Sequence, residues 1–148
     1  MDKIAGVTLT PLKIIDNIAG NIQHAMKSSD PGYNGFGEAY FSNILPGAVK
    51  GWKKHRQMVL NLVVPKGKIH FVMFDGREES TTRGQVMEVE LSAQNYQRLT
   101  VPPGIWMAFS GIGEDPCLLL NIASIPHDPN ESESLPLVNE LIDYSPFQ

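Results

Sequence analysis

The chain has 148 residues and a mass of 16.4 kDa, of which 42% are hydrophobic and 19% charged. That balance excludes disorder and coiled coil and sets the expectation of one soluble domain spanning residues 1–148. A net charge of −4 and a pI near 5.5 argue against general nucleic-acid binding. The lone Cys117 excludes an intramolecular disulfide, and with no apolar leader or membrane-length run the expected location is cytoplasmic.

Short β-branched runs separated by Gly and Pro dominate the chain. Residues 7–9 and 12–15 read as one interrupted strand that Pro11 demotes to an edge or a bend, and 22–26 as a short strand or helical turn. Ser28 to Gly35 is the clearest loop. Strand-like segments follow at 36–45, 48–55, 58–64, 68–74, 86–91, 98–101, 105–109 and 118–124. Short strands with turn residues between them predict an all-β sandwich or barrel. In the segment 68–74, Ile69, Val72 and Phe74 cannot share one face, so both faces of that strand are expected to be buried. Residues 131–134 form a small acidic cluster, Glu-Ser-Glu-Ser. Leu137, Val138, Leu141 and Ile142 have helical spacing, which leaves a short C-terminal helix or an extended arm over 135–144.

The chemistry is sparse. There are four histidines, His24, His55, His70 and His127, with no His-x-His pair, and Met107 stands where metal-binding jelly rolls carry a histidine. No metal and no cofactor are expected. The segment Lys50-Gly51-Trp52-Lys53-Lys54-His55-Arg56-Gln57 concentrates cationic side chains within an acidic protein. Strict alternation places Lys53, His55 and Gln57 on one face and Trp52, Lys54 and Arg56 on the other. On spacing alone a solvated, lysine-rich edge strand is the better reading; an inward face would form an anion pocket instead. Asp75-Gly76-Arg77 reads as a structural turn, and Cys117 as core.

The order of these elements resembles the sugar-nucleotide cupins typified by dTDP-4-dehydrorhamnose 3,5-epimerase. The landmarks are Glu38-Ala39-Tyr40-Phe41-Ser42, Pro46 to His55, Leu62 to Ile69, Phe74-Asp75-Gly76-Arg77, Leu91 to Asn95, Leu99 to Gly104, and Asn121-Ile122-Ala123-Ser124. The resemblance implies a jelly-roll (cupin) barrel that binds a nucleotide-linked 4-keto-6-deoxy sugar without a metal and epimerises it. It implies His55 as base, Tyr40 as acid, Lys53 as enolate stabiliser, and Lys50, Arg56, Gln57 and Asn121 as substrate-binding residues. It also implies a homodimer, with the apolar stretch from Ile4 to Ile15 as the pairing element.

The sequence departs from the family pattern at identifiable positions. The epimerases usually read Arg-Gly-x-His where this chain has Lys50-Gly51-Trp52-Lys53, so His55 lies one inward step beyond. It matches the second histidine of the related 3,4-ketoisomerases, whose tyrosine Tyr40 also resembles. The family's lysine and tyrosine fall near Leu60 or Asn61 and near Leu120 or Asn121. A ketoisomerase, or a non-catalytic nucleotide-sugar-binding cupin, are therefore the alternatives.

Overall fold

The computed structural model describes residues 3–142. In chain order the strands are β1 (Thr8–Pro11), β2 (Ile14–Ile15), β3 (Ile22–Gln23), β4 (Glu38–Ile44), β5 (Val49–His55) and β6 (Leu60–Lys66). They continue as β7 (Lys68–Asp75), β8 (Val86–Ser92), β9 (Gln97–Val101), β10 (Ile105–Ile112), β11 (Cys117–Ala123) and β12 (Ser132–Ser134). A 3₁₀ turn, Pro129–Glu131, precedes β12. Two five-stranded antiparallel sheets, ordered β1-β9-β6-β11-β4 and β12-β5-β10-β7-β8, face each other as a jelly roll. The ribbon β2-β3 stands apart from both.

Alternation explains why the sheets face as they do. In β11, Cys117, Leu119, Asn121 and Ala123 are buried, while Leu118, Leu120 and Ile122 between them are partly exposed. The inward rows of both sheets form the main core, around Leu62, Ile69, Phe71, Met73, Leu91 and Leu99. β7 is buried on both sides, as its sequence requires. Its inward residues join that core, whereas Val72 and Phe74 join a second apolar cluster with Trp52, Trp106, Ala108 and Ile142.

Polar ties close the ends. Asp75 is fully buried and accepts from Arg77, Ser80 and Thr82, and Arg77 also donates to the Ala5 carbonyl, fastening the N-terminal segment. Burial opposes the Asp75 carboxylate, but its bonds to Arg77, Ser80 and Thr82 outweigh that and hold its pKa well below the usual range. The predicted loop is pinned by Arg98, which donates to the Ala25 and Pro31 carbonyls, and by Asn61, which donates to the Gly32 carbonyl.

Both terminal segments pack against the sheets. Of the two alternatives for the C-terminal segment, residues 135–142 take the arm: Leu135 exchanges both backbone hydrogen bonds with Trp52, so the chain continues beside β5. Pro136 explains this, because the residue before a proline is driven towards extended backbone. Residues 143 and 144 of the predicted segment lie outside the described residues. At the other end, Ile4 and Val7 are buried in the chain's own core and β1 pairs with β9, while the outer side of β1 is an open sheet edge on which Pro11 lies as predicted.

Candidate active site

A cavity of about 220 Å³ opens between the two sheets. Its floor is apolar, made by Leu60, Leu62, Met107, Phe109 and Leu119. Lys50, Lys53 and His55 of β5 form one wall, and Tyr40, Ser42 and Asn121 of β4 and β11 face them from the other sheet.

Lys50 and Lys53 are three residues apart, so a regular strand would send them to opposite faces. A β-bulge resolves the conflict. Lys53 pairs with Met107 and Lys50 with Phe109, so three residue steps on β5 match two on β10. Gly51 makes this possible. Its φ is +139°, and a Cβ there would lie 2.5 Å from the Ala108 Cβ.

Charges on the two sides of β5 meet different fates. Behind the strand, Lys54 lies 2.9 Å from the Glu133 carboxylate and 5.0 Å from the centre of the Trp106 ring. Arg56 reaches the Asn130 carbonyl and Glu133. Towards the cavity, Lys50 and Lys53 have no carboxylate partner among the described residues. Unneutralised cations beside an apolar floor suit an anionic ligand.

His55 is held from behind. Its Nδ1 meets the Oε1 of Glu131, a buried residue at the end of the 3₁₀ turn. Glu131 Oε2 accepts from the backbone N–H groups of Gln57 (3.1 Å) and Met58 (3.2 Å). Burial works against the Glu131 carboxylate, but the bonds from His55, Gln57 and Met58 outweigh it and lower its pKa. A carboxylate on Nδ1 fixes the ring and leaves Nε2 to act on a ligand. Across the cavity, Asn121 Nδ2 donates to the Tyr40 hydroxyl over 2.9 Å, so the phenol keeps its own proton to give. Burial chiefly raises the Tyr40 pKa, with Glu38 adding to it and the Asn121 bond opposing, which keeps that proton in place.

Of the residues singled out in the sequence, the structure therefore brings together His55, Tyr40, Lys53, Lys50 and Asn121. Arg56 and Gln57 lie outside the cavity. Arg56 points to the 3₁₀ turn and β12, and β5 ends at His55, so the alternation that would aim Gln57 inward no longer applies. Gln57 contributes its backbone N–H instead. Sequence reasoning missed Glu131, which lay in the acidic cluster. The available signal was charge: that cluster pairs residue by residue with the cationic strand, Glu133 opposite Lys54 and Ser132 opposite His55. Among the described residues no group of three or more His, Cys, Asp or Glu side chains converges.

The profile of the dTDP-4-dehydrorhamnose 3,5-epimerase family matches residues 36–141, well over half of the chain and all the strands that build the cavity. The chain belongs to this family. Among its similar proteins is the probable low-salt glycan biosynthesis epimerase Agl13 of Haloferax volcanii, 30% identical over 86% of this chain and 83% of that protein. The spore coat polysaccharide biosynthesis protein SpsL of Bacillus subtilis is 25% identical over 74% of each. The crystal structure of a dTDP sugar isomerase from Desulfovibrio desulfuricans superposes with a TM-score of 0.93 at 39% identity, covering 96% of this chain and 91% of that one. The epimerase-family fold, an all-β jelly roll, is thus shared along nearly the whole chain.

Proposed function

We propose that this epimerase-family protein inverts a carbon next to the ketone of a nucleotide-linked 4-keto-6-deoxy sugar. The observation that carries the reading is His55, held by the buried Glu131 beside two unneutralised lysines, with Tyr40 on the opposite sheet. Inversion needs a base and an acid on opposite faces of one carbon, and charge stabilisation where the oxyanion forms. His55 Nε2 takes the proton from the carbon beside the ketone, and the C–H electrons pass into an enolate. Lys53 neutralises the enolate oxygen, and Lys50 meets the diphosphate. The Tyr40 hydroxyl returns a proton to the other face, and solvent exchange restores both groups. Asn121 Oδ1 is buried without a donor among the described residues, so a ligand hydroxyl or N–H would satisfy it.

The test is incubation with a dTDP-linked 4-keto-6-deoxy sugar in deuterated water, followed by NMR. Solvent deuterium at a ring carbon next to the ketone is expected. His55→Asn should slow it by at least about 10²-fold, the scale of a lost general base. Movement of the carbonyl to the neighbouring carbon would instead establish a 3,4-ketoisomerase. Calorimetric binding with no exchange would establish a non-catalytic binding protein.

The protein works as a homodimer in this reading; both ends of the first sheet, β1 in the N-terminal stretch and β4, have an open side, and β4 carries the larger exposed apolar groups. β4 pairs with β11 on one side and is open on the other, and Phe36, Phe41 and Leu45 around it are 64%, 63% and 65% exposed. A two-fold axis at that edge would lay two β4 strands antiparallel and pair their open backbone groups. Light scattering at micromolar concentration should give twice the chain mass, and Phe41→Lys should shift it to one. A cytoplasmic setting accords with the free, buried Cys117.

A further inference from the structure

The back of β5 is built as specifically as its front. Trp52, 1% exposed, sits on the bulge between Lys50 and Lys53 and points away from the cavity into the second apolar cluster. The C-terminal arm covers it there. Leu135 N–H donates to the Trp52 carbonyl over 3.0 Å, and Trp52 N–H donates to the Leu135 carbonyl over 3.2 Å. The indole Nε1–H donates to the Leu137 carbonyl over 3.2 Å. Ile142, 3% exposed, closes the cluster, whereas Leu137, Val138 and Leu141 remain outside it. The arm thus makes three hydrogen bonds and one apolar plug at the residue where β5 departs from regular alternation.

A bulge is a local choice between registers, and a one-residue slip would turn one of the two lysines out of the cavity. We propose that the C-terminal arm, residues 135–142, fixes the register of the β5 bulge from behind, with Trp52 as the positioning residue that keeps Lys50 and Lys53 on one face. Its consequence for diphosphate binding rests on the function proposed above; its geometric content does not.

Two variants of the full chain test it. Trp52→Phe keeps the ring and removes the bond to the Leu137 carbonyl, and Ile142→Asp expels the plug of the arm. Each is compared with the unmodified protein in two measurements. The first is dTDP binding by calorimetry together with proton exchange at saturating sugar. The second is per-lysine labelling by acetic anhydride, read by mass spectrometry with no ligand present. The expected result is at least tenfold weaker dTDP binding, because Lys50 is the lysine turned towards the arm, with exchange at saturation within about threefold, because Lys53 stays in the cavity and Glu131 still holds His55. Labelling of Lys50 or Lys53 should change at least threefold, with Lys68, paired to Glu90 on β8, unchanged as the control. Binding and labelling within twofold of the unmodified protein in both variants would overturn the proposal. If Ile142→Asp does not fold, Trp52→Phe decides by the same thresholds. If the unmodified protein neither binds dTDP nor exchanges a proton, the functional reading fails and the labelling alone still decides the role of the arm.

Discussion

His55 sits on an inward face, yet its geometry depends on a residue 76 positions later in the chain. Glu131 spends one oxygen on the imidazole and the other on two backbone N–H groups, so it is fixed before it fixes the ring. Glu131→Gln keeps the shape but places an amide against Nδ1 and can impose the wrong ring tautomer. The exchange rate should fall by roughly 10²-fold or more, by the logic of carboxylate-oriented histidines. KM should hardly move, since Lys50 and Lys53 are untouched. A steady-state comparison checks both numbers, and a loss confined to KM would contradict the role. Tyr40 and Asn121 are coupled in the same way by a hydrogen bond between neighbouring strands.

β5 is the element on which the site depends, and its irregularity is what makes it functional. A straight strand would aim Lys50 at the arm and leave the cavity one cation short. Gly51 permits the bulge because β10 passes too close for any side chain, and because its φ of +139° is strained for all other residues. Gly51→Ala should destabilise the protein by about 2 kcal/mol or more, combining backbone strain with a clash against β10. Urea unfolding measures it, and a change below about 0.5 kcal/mol would mean that β5 reaches the same face without the glycine. The acidic segment after the 3₁₀ turn is the second decisive element. Read alone it is a solvated charge cluster; as β12 it is the strand that completes the sheet and delivers Glu131.

Across the whole molecule, two buried carboxylates make stability depend on pH. Asp75 and Glu131 both have native pKa values depressed below the ordinary 3.9 and 4.3 of free side chains. A depressed native pKa means that the unfolded chain binds more protons, so the stabilisation is complete above the ordinary value. It is lost as pH falls from about 5 towards the native values. The thermal midpoint should therefore drop between pH 5 and pH 3. Asp75→Asn, which weakens the tie to Arg77 and the N-terminal segment, should lower Tm at pH 7 and flatten that decline. An unchanged slope in the variant would remove Asp75 as a source of the acid sensitivity.

Composition, turn residues and alternation determined the all-β class, most strand positions, the two-sided burial of β7 and the cationic strand itself. These are local properties, written in residues two apart or at the ends of each run. What the tertiary structure alone decided is the side to which charge is sent. Whether Lys50 faces the cavity depends on a bulge set by the approach of β10. Alternation already sends Lys54 and Arg56 away from the cavity, but only the fold brings β12 and its Glu133 to them, and His55 acquires a carboxylate partner from the same return of the chain. Between the helix and the arm that the spacing left open, the arm is taken because Trp52 offers it backbone partners and an apolar seat. Such pairings join residues some 75–85 positions apart, a distance over which no sequence period carries information. The cavity that unites His55, Lys53, Lys50, Tyr40 and Asn121 therefore belongs to the packed sheets, while the side chains that fill it were legible in the chain.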